Sequence, residues 1–235
     1  MSGARVRALA VLVLVLAIGA LVFAQVRGSA RDTNQRPGLM LLTSLPLMFG
    51  EEFSIERNGS PALAALQRHY RVVPISVTSP QQLGRGRILL MAQPRAQRPE
   101  DLVALDDWVR SGGYVVLLAD PMLEWPSDRP LGDRLRPPPM FADTGLLTHW
   151  GLRLDAPDER GSRPAMIAGH RVTTMSPGQL YGRCAISRDR ISARCRVGKG
   201  FASVIADADL LDAASIGAAA SSNFDALVAE ISAIE

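Results

Sequence analysis

The sequence is poor in lysine and in aromatic residues. Of its 26 basic residues only Lys199 is a lysine, and Phe, Trp and Tyr make up 5% of the chain. Lys199 stands in the run Gly-Lys-Gly-Phe, which has neither the spacing of a nucleotide-binding P-loop nor the Ser or Thr that follows its lysine. The chain is therefore not itself an ATPase of the P-loop type.

The body of the chain also lacks net charge. The formal net charge is +3, from 26 Lys plus Arg against 23 Asp plus Glu. The first 27 residues contain no acid and carry Arg5, Arg7 and Arg27, so these three arginines account for the whole excess. A nucleic-acid-binding domain presents a basic surface. We therefore expect no nucleic-acid partner.

Several signatures of catalysis are missing as well. The three histidines, His69, His149 and His170, lie in separate segments without the spacing of metal ligands, which indicates packing or helix-end residues. No serine stands in a G-x-S-x-G turn. Gly84 and Gly86 lack the third glycine of a dinucleotide-binding loop and indicate a simple turn. The sequence thus predicts no cofactor.

One long hydrophobic run is present near the N-terminus. Residues 8–26 contain no charged side chain and follow Arg5 and Arg7. At about 1.5 Å per residue a helix of this length spans roughly 28 Å, which matches the core of a bilayer. We expect a spanning anchor. Two other interpretations are the hydrophobic part of a secretory signal that ends near Ala24, and a buried core helix.

The run divides the chain into three predicted parts. Residues 1–27 form the membrane anchor or uncleaved signal, 28–37 a polar tether, and 38–235 an α/β domain. A long domain crosses the membrane largely regardless of flanking charge, and a signal-type N-terminus normally stays inside. We therefore expect a single-pass protein of the cytoplasmic (inner) membrane with its globular domain on the extracytoplasmic side.

The two cysteines give an independent indication of the compartment. Apolar and polar residues alternate on both sides of residues 189–190, and a turn there places Ile186 opposite Ala193 and Cys184 directly opposite Cys195. This pattern predicts an antiparallel hairpin with a Cys184–Cys195 disulfide, and disulfides persist in oxidising compartments. The alternative is a pair of buried free thiols. Without a nearby histidine the two cysteines do not make a zinc site.

Hydrophobic runs and helix signals alternate through the first half of the domain. Strands are predicted at 38–47, 71–77, 87–91 and 114–119, and helices at 62–70 and 99–110, each begun by a proline. The apolar runs are unbroken, as in parallel strands that are covered on both faces. The predicted fold class is α/β: a Rossmann-like, largely parallel sheet with helices on both faces, preceded by one transmembrane helix.

The second half is richer in turns. Six prolines between residues 121 and 140 exclude a regular element, and we expect a long surface loop pinned by Trp125. A short helix at 141–150 and a strand at 152–155 are predicted next. Residues 165–174 and 183–206 are expected to form a β-rich region with the cysteine hairpin, and an amphipathic helix at 223–234 closes the domain.

Three stretches of the domain carry recognisable motifs. The first, at 88–121, is a strand, a proline-led helix reading L-x-x-L-x-x-W-V-x-x-G-G, and a strand ending in Asp-Pro. The others are 130–155 and 198–212. Together they resemble the extracytoplasmic component of GldG-type ABC transporters, a family of Rossmann-like domains related in fold to class I glutamine amidotransferases and also called GIFT domains. The resemblance covers most of residues 38–215. It implies a membrane-anchored auxiliary subunit beside separate ABC permease and ATPase subunits.

The resemblance specifies no transported substrate, and the residues argue against glutaminase chemistry. An amidotransferase-like enzyme needs a cysteine nucleophile on a turn after a strand, with a histidine partner. Here the strands end in Gln93-Pro94 and Asp120-Pro121, and both cysteines lie in the predicted hairpin. We therefore expect that the chain is not an enzyme.

Polar residues that follow predicted strands form the remaining candidate site. They share a position at the carboxyl edge of the sheet, where open α/β folds bind ligands. They are Asp120, Asp207, Asp209, Ser44 and Glu51, with the neighbouring Thr43 and Glu52. Carboxylates at this edge are suited to bind a divalent cation or to accept hydrogen bonds from a sugar. The competing interpretation is that each aspartate caps the helix or turn that follows it.

The observations leave three functional hypotheses open. The leading one is a non-enzymatic, membrane-anchored accessory subunit of a GldG-like ABC transport system, which binds its permease or an unidentified small-molecule or glycan ligand. The second is a metal-assisted hydrolase that uses Asp120, Asp207 and Asp209. The third is a purely structural scaffold module that holds other subunits together.

Overall fold

The computed structural model describes residues 36–48 and 59–233, and the chain from Gly38 onward forms one compact unit. The predicted anchor at 8–26, most of the tether, and Glu51 with Glu52 lie outside the described residues. No helix within 36–48 or 59–233 is long and apolar enough to cross a membrane.

The described residues contain eleven strands. They are β1 (Gly38–Thr43), β2 (Arg71–Pro74), β3 (Ile88–Ala92), β4 (Tyr114–Leu118), β5 (Leu152–Asp155), β6 (Ser162–Ile167), β7 (His170–Met175), β8 (Gln179–Gly182), β9 (Ala185–Ile186), β10 (Ser192–Val197) and β11 (Gly200–Ile205). The α-helices are α1 (Pro61–His69), α2 (Pro80–Leu83), α3 (Pro99–Arg110), α4 (Leu146–His149), α5 (Ala213–Ile216) and α6 (Ala220–Ser232). Two 3-10 helices, Asp209–Leu211 and Gly217–Ala219, lie before and after α5.

Seven strands form the central sheet, in the order β2-β1-β3-β4-β11-β10-β9. The five strands from β2 to β11 pair in parallel, and β10 and β9 add to them antiparallel. Strands β5 and β8, and strands β6 and β7, form two separate antiparallel pairs. The α/β class with a mainly parallel sheet is thus confirmed. The cysteine hairpin is not a separate region, because its strands extend the same sheet.

Helices cover both faces of the central sheet. Leu39 and Leu41 of β1 pack on one face with α1 and α6, whereas Met40 and Leu42 pack on the other face with α3 and α4. Strands β3 and β4 are buried in the same alternating way. A strand that is covered on both faces needs apolar residues at every position, which is why these strands are unbroken hydrophobic runs.

The predicted helices α1 and α3 begin at residues that favour the start of a helix. In α1 the Ser60 hydroxyl accepts a hydrogen bond from the Leu63 N–H at 3.1 Å, and Pro61 occupies the first turn. Helix α3 spans the predicted 99–110 and has acidic residues in its first turn, which suits the helix dipole. Gly113 then lets the chain pass the Trp108 ring, because a Cβ there would lie 2.5 Å from it.

Three predicted elements are clearly shorter than expected, and one of them is the strand predicted at 71–77, which ends at Pro74. The strand predicted at 38–47 ends at Thr43, because the Thr43 hydroxyl accepts from the Leu45 N–H at 2.9 Å and turns the chain. The helix predicted at 141–150 covers only Leu146–His149. It begins after Gly145, whose φ of +102° is not helical, and the Asp143 carboxylate accepts hydrogen bonds from the N–H groups that start it.

The predicted disulfide hairpin is confirmed. Ile186 pairs with Ala193 across β9 and β10, and this register continues to Cys184 and Cys195. The two cysteines form a disulfide with a Cα–Cα separation of 4.8 Å. The turn is wider than predicted, because the last ladder hydrogen bond joins the Ser187 N–H to the Ser192 carbonyl at 2.8 Å and leaves four residues between them.

Asn223 joins the closing helix α6 to the strand β7. Its Oδ1 accepts from the Thr173 N–H at 2.9 Å, and its Nδ2 donates to the Thr173 and Leu210 carbonyls at 2.8 and 2.9 Å. The side chain is fully buried. The Asn223 amide thus bonds both the N–H and the carbonyl of Thr173 in β7, as the backbone of a neighbouring strand would.

We expect Asn223→Ala to lower the free energy of unfolding by about 2 kcal/mol, because it leaves buried backbone groups without partners. Ser222→Ala is the matched control, since the Ser222 hydroxyl donates to the Arg171 carbonyl of the same strand from an exposed site. That variant is expected to change stability by less than about 0.5 kcal/mol. Urea unfolding of both variants at one pH measures the difference. Equal losses of stability in the two variants would contradict the predicted contribution of the Asn223 hydrogen bonds.

Candidate functional site

The ends of β3 and β4 meet through Gln93 and Asp120, which are both fully buried. Gln93 Oε1 accepts from the Asp120 N–H at 2.9 Å, and Gln93 Nε2 donates to the carbonyls of Asp120 and Pro138 at 3.1 and 3.2 Å. Gln93 has a φ of +43°, which is uncommon for a residue with a side chain. The side chain that ends one central strand is therefore used to hold the end of the next.

Asp120 uses both carboxylate oxygens to fix backbone. Oδ1 accepts from the Met122 N–H and Oδ2 from the Ala208 N–H, both at 2.8 Å. These bonds connect the loop after β4 to the segment after β11. Burial raises the pKa of Asp120 to about 6, an effect that the backbone hydrogen bonds oppose and the nearby charge of Glu124 increases.

Asp207 follows β11 and is also fully buried. Its Oδ1 accepts from the Leu210 N–H and its Oδ2 from the Met175 N–H, both at 2.7 Å. It thereby caps the 3-10 helix and holds the end of β7. Burial raises the pKa of Asp207 well above its ordinary value, and the charge of Asp120 raises it further.

Asp209 is the least satisfied of the three aspartates. Its Oδ2 accepts from the Glu124 N–H at 2.7 Å, but its Oδ1 is buried without a hydrogen-bond partner among the described residues. Burial raises the pKa of Asp209 to about 7, and the charges of Asp120 and Glu124 add to the effect. Glu124 in turn accepts from the Ser176 hydroxyl at 2.6 Å.

The structure therefore brings Asp120, Asp207 and Asp209 together at the carboxyl edge of the sheet. Their charges act on one another, and five of their six carboxylate oxygens accept hydrogen bonds from backbone N–H groups of the surrounding loops. The cluster is suited to hold protons and to fix loops. Within 36–48 and 59–233, no group of three or more His, Cys, Asp or Glu side chains has an arrangement that would hold a metal ion.

Ser44 and Thr43 lie at the same edge, between β1 and β3. The Ser44 hydroxyl donates to the Gln93 carbonyl, and the Thr43 hydroxyl donates to the Ala92 carbonyl at 2.9 Å. Both side chains thus bind the neighbouring strand end. Glu51 lies outside the described residues.

Sequence reasoning missed the partners of the aspartates. Gln93 carried a signal, because it precedes a proline after an apolar strand as Asp120 does. Glu124 and Ser176 carried none, since they lie in two loops that meet only in the folded chain. Contacts of this kind depend on the path of the loops and not on local pattern.

A second polar cluster joins α4 to α3. Asp106 accepts from Arg110 Nε at 2.6 Å and from Trp150 Nε1 at 2.9 Å, and it lies 3.2 Å from His149 Nε2. Burial favours a higher pKa for Asp106, but the hydrogen bonds from Arg110, Trp150 and His149 outweigh it and hold the pKa below its ordinary value. His149 is therefore a helix-end residue bound to a carboxylate.

A surface hollow of about 540 Å³ lies away from the aspartates, between the β6–β7 hairpin, β10 and α6. Met166 and Ala229 are among its lining residues. Glu230, also in the lining, accepts from Arg194 Nε and Nη2 at 2.8 and 2.6 Å and from the Ser203 hydroxyl at 2.6 Å. The Glu230 carboxylate is thus fully engaged in joining α6 to β10 and β11.

No protein-family profile matches the chain, and neither does any curated protein. Solved structures show the same fold at low identity. A cytoplasmic protein of Salmonella typhimurium, STM3548, is 11% identical with a TM-score of 0.53, and the match covers 83% of this chain and 98% of that one. The mmIFT52 N-terminal domain is 12% identical with a TM-score of 0.51, over 83% of this chain and 97% of that one.

A third similar structure is a much larger protein. It is the exo-beta-1,4-mannosidase Op5Man5 from Opitutaceae bacterium strain TAV5, which is 13% identical with a TM-score of 0.50. The match covers 87% of this chain but only 37% of the mannosidase. At such identities these likenesses establish the α/β fold alone. The same fold thus occurs both as a nearly complete chain and as one part of a longer chain.

Proposed function

We propose that the chain is a non-enzymatic accessory subunit of a GldG-like ABC transport system. In this proposal residues 8–26 anchor it in the cytoplasmic membrane, and the domain from Gly38 onward works on the extracytoplasmic side. It binds its permease partner, and the P-loop ATPase is a separate chain. The resemblance of residues 88–121, 130–155 and 198–212 to that family suggests the system.

One observation carries the proposal that the domain is not an enzyme. Gln93 and Asp120 end two central parallel strands, the positions where an amidotransferase-like fold needs its nucleophile. Both side chains are fully buried: the Gln93 amide binds the backbone of Asp120, and the Asp120 carboxylate binds backbone N–H groups of the neighbouring loops. Side chains used in this way are unavailable to a substrate. A binding or scaffold role is the function that such a strand edge supports.

The disulfide supports the proposed extracytoplasmic location. Cys184 and Cys195 are bonded to each other, so neither is available as a thiol nucleophile. Disulfides in small domains are typical of oxidising compartments such as the periplasm. The same pair of cysteines therefore supports both the proposed extracytoplasmic location and the proposed absence of a cysteine nucleophile.

Purification of the full-length protein from the membranes of its own organism, in mild detergent, tests the proposal. We expect an ABC ATPase and a multi-span permease to purify with it in fixed proportion. The control is a chain in which residues 1–37 carry an unrelated periplasmic domain, which is expected to lose both subunits because the binding surface lies in the α/β domain. A full-length protein that purifies without either subunit would contradict the accessory role.

A further inference from the structure

The proline-rich loop after β4 exposes much apolar surface. Within the described ranges five large apolar side chains are more than half exposed, and three of them lie between residues 131 and 140. They are Leu131 at 76%, Leu135 at 58% and Met140 at 61% exposure. Exposed apolar side chains that are concentrated in one segment mark an interaction surface more often than scattered ones do.

Two consecutive β-turns present the leucines. The Asp133 N–H donates to the Pro130 carbonyl, and the Arg136 N–H donates to the Asp133 carbonyl, both at 3.1 Å. Leu131 and Leu135 occupy central positions of these turns, which share Asp133. Each turn brings its ends within about 7 Å, so both leucines lie in one compact segment. We call this segment, residues 130–136, the turn pair.

Side chains from the loop after β3 hold the turn pair and the prolines that follow it in shape. Arg95 Nη2 donates to the Arg134 and Arg136 carbonyls at 2.6 and 2.5 Å, and Gln93 Nε2 donates to the Pro138 carbonyl at 3.2 Å. Three prolines, 137–139, restrict the chain further. A surface that is already ordered loses little conformational entropy when it binds, which favours docking to a partner of fixed shape.

Positive charge lies beside the exposed leucines. The exposed Arg95 uses its guanidinium to bind carbonyl groups, and no carboxylate among the described residues forms an ion pair with it. The exposed side chain of Arg134 likewise makes no ion pair within 36–48 or 59–233. Asp133 is paired with Arg129 at 3.8 Å. The surface is therefore complementary to a segment that carries acidic and aliphatic side chains.

We infer that Leu131, Leu135 and Met140, with Arg95 and Arg134, form a docking surface for an acidic, aliphatic extracytoplasmic segment of a partner protein. The inference rests on the proposed accessory function for the identity of that partner as a transporter subunit. A protein is favoured over an anionic lipid surface, because the leucines lie in two ordered β-turns that Arg95 holds in place, and a surface of fixed shape is matched by a folded partner and not by a fluid bilayer.

Photo-crosslinking in the native membrane tests the surface. A photoreactive residue replaces Leu131 or Leu135 in the full-length chain, and Val103, which is 61% exposed on α3, is the control position. We expect adducts from 131 and 135, but not from 103, with one protein whose crosslinked segment carries Asp or Glu beside aliphatic residues. Arg134→Glu should lower the adduct yield at least fivefold, and the exposed control Arg160→Glu should leave it unchanged within twofold.

The other outcomes distinguish failure of the docking surface from failure of the proposed function. Adducts with lipid, adducts with a second copy of this chain, or no adduct from 131 and 135 would overturn the docking surface. Equal loss of yield in the two arginine variants would remove the charge argument and overturn it as well. If the adduct protein is not a transporter subunit, the surface stands and the proposed function fails. If ATPase and permease purify with the chain but positions 131 and 135 give no adduct, the proposed function stands and the docking surface fails.

Discussion

We expect the domain to lose stability as the pH rises from 5 to 8, by on the order of 4 kcal/mol in the free energy of unfolding. Asp120, Asp207 and Asp209 are buried together, with the pKa of Asp120 raised to about 6 and that of Asp209 to about 7. Each is more costly to ionise in the folded chain than in the unfolded one, where its pKa is 3.8.

The direction of the effect follows from proton binding. A carboxyl whose pKa is raised by folding binds its proton more tightly in the folded state, so its contribution to stability is complete below the unfolded pKa. That contribution is lost as the pH rises through about 6 to 7. Asp106 acts oppositely, because its pKa is lowered in the folded chain, and its contribution is lost only in more acidic solution.

Asp209→Asn isolates one member of the cluster. The amide oxygen keeps the hydrogen bond from the Glu124 N–H, and the NH₂ group takes the place of the unpartnered Oδ1 beside acidic neighbours. We expect the variant to be more stable than the parent at pH 8, by about 1 to 2 kcal/mol, and to depend less on pH. The exposed Asp225→Asn is the control and should keep the parent's slope.

Urea unfolding at pH 5, 6, 7 and 8 measures all three proteins. A parent protein whose stability rises between pH 5 and 8 would contradict the predicted direction. If Asp209→Asn keeps the full slope, the slope does not arise from Asp209. Because the cluster holds the loop after β4 to the segment after β11, protection of the Met122, Glu124 and Ala208 amides from hydrogen exchange should fall in the same pH range.

Loss of the disulfide has the second large expected effect. The double variant Cys184→Ala and Cys195→Ala should lose about 3 kcal/mol of stability, because the bond closes a loop with a sequence separation of 11. Alanine is the better replacement, since Cys195 is buried among apolar side chains and a serine hydroxyl there would lack a partner. Urea unfolding at pH 7 measures the change.

Reduction supplies the control for this double variant. The parent protein in dithiothreitol should approach the stability of the variant, while the variant should be unaffected by the reductant. The cysteines of the purified protein should react with a maleimide only after reduction. Labelling without reductant, or a stability change below about 1 kcal/mol, would contradict the predicted contribution of the bond.

Local patterns were sufficient to predict much of this fold. Unbroken apolar runs identify β3 and β4, because a strand with both faces covered needs an apolar residue at every position. A proline followed by acidic residues marks the start of α3, and the glycines after Ser111 mark its end. The register of the cysteine hairpin follows from alternation alone, because side chains of a strand alternate with a period of two.

The same reasoning placed the candidate residues but not their bonds. Asp120 and Asp207 follow strands of one parallel sheet, and the carboxyl ends of such strands meet at one edge. Whether their oxygens face solvent or backbone depends on how the loops after β4 and β7 pass over that edge. Proline-rich loops have no periodicity from which such a path can be predicted.

The sequence by itself determined the α/β class, the starts of α1 and α3, the position of the aspartates and the cysteine pairing, because each depends on neighbouring residues or on one strand repeat. Only the tertiary structure decided that β11 lies beside β4, that Glu124 meets Ser176, and that the turn pair is clamped by Arg95. The physical reason is that these contacts join residues distant in sequence, and their energies depend on burial and hydrogen-bond geometry that exist only in the folded chain.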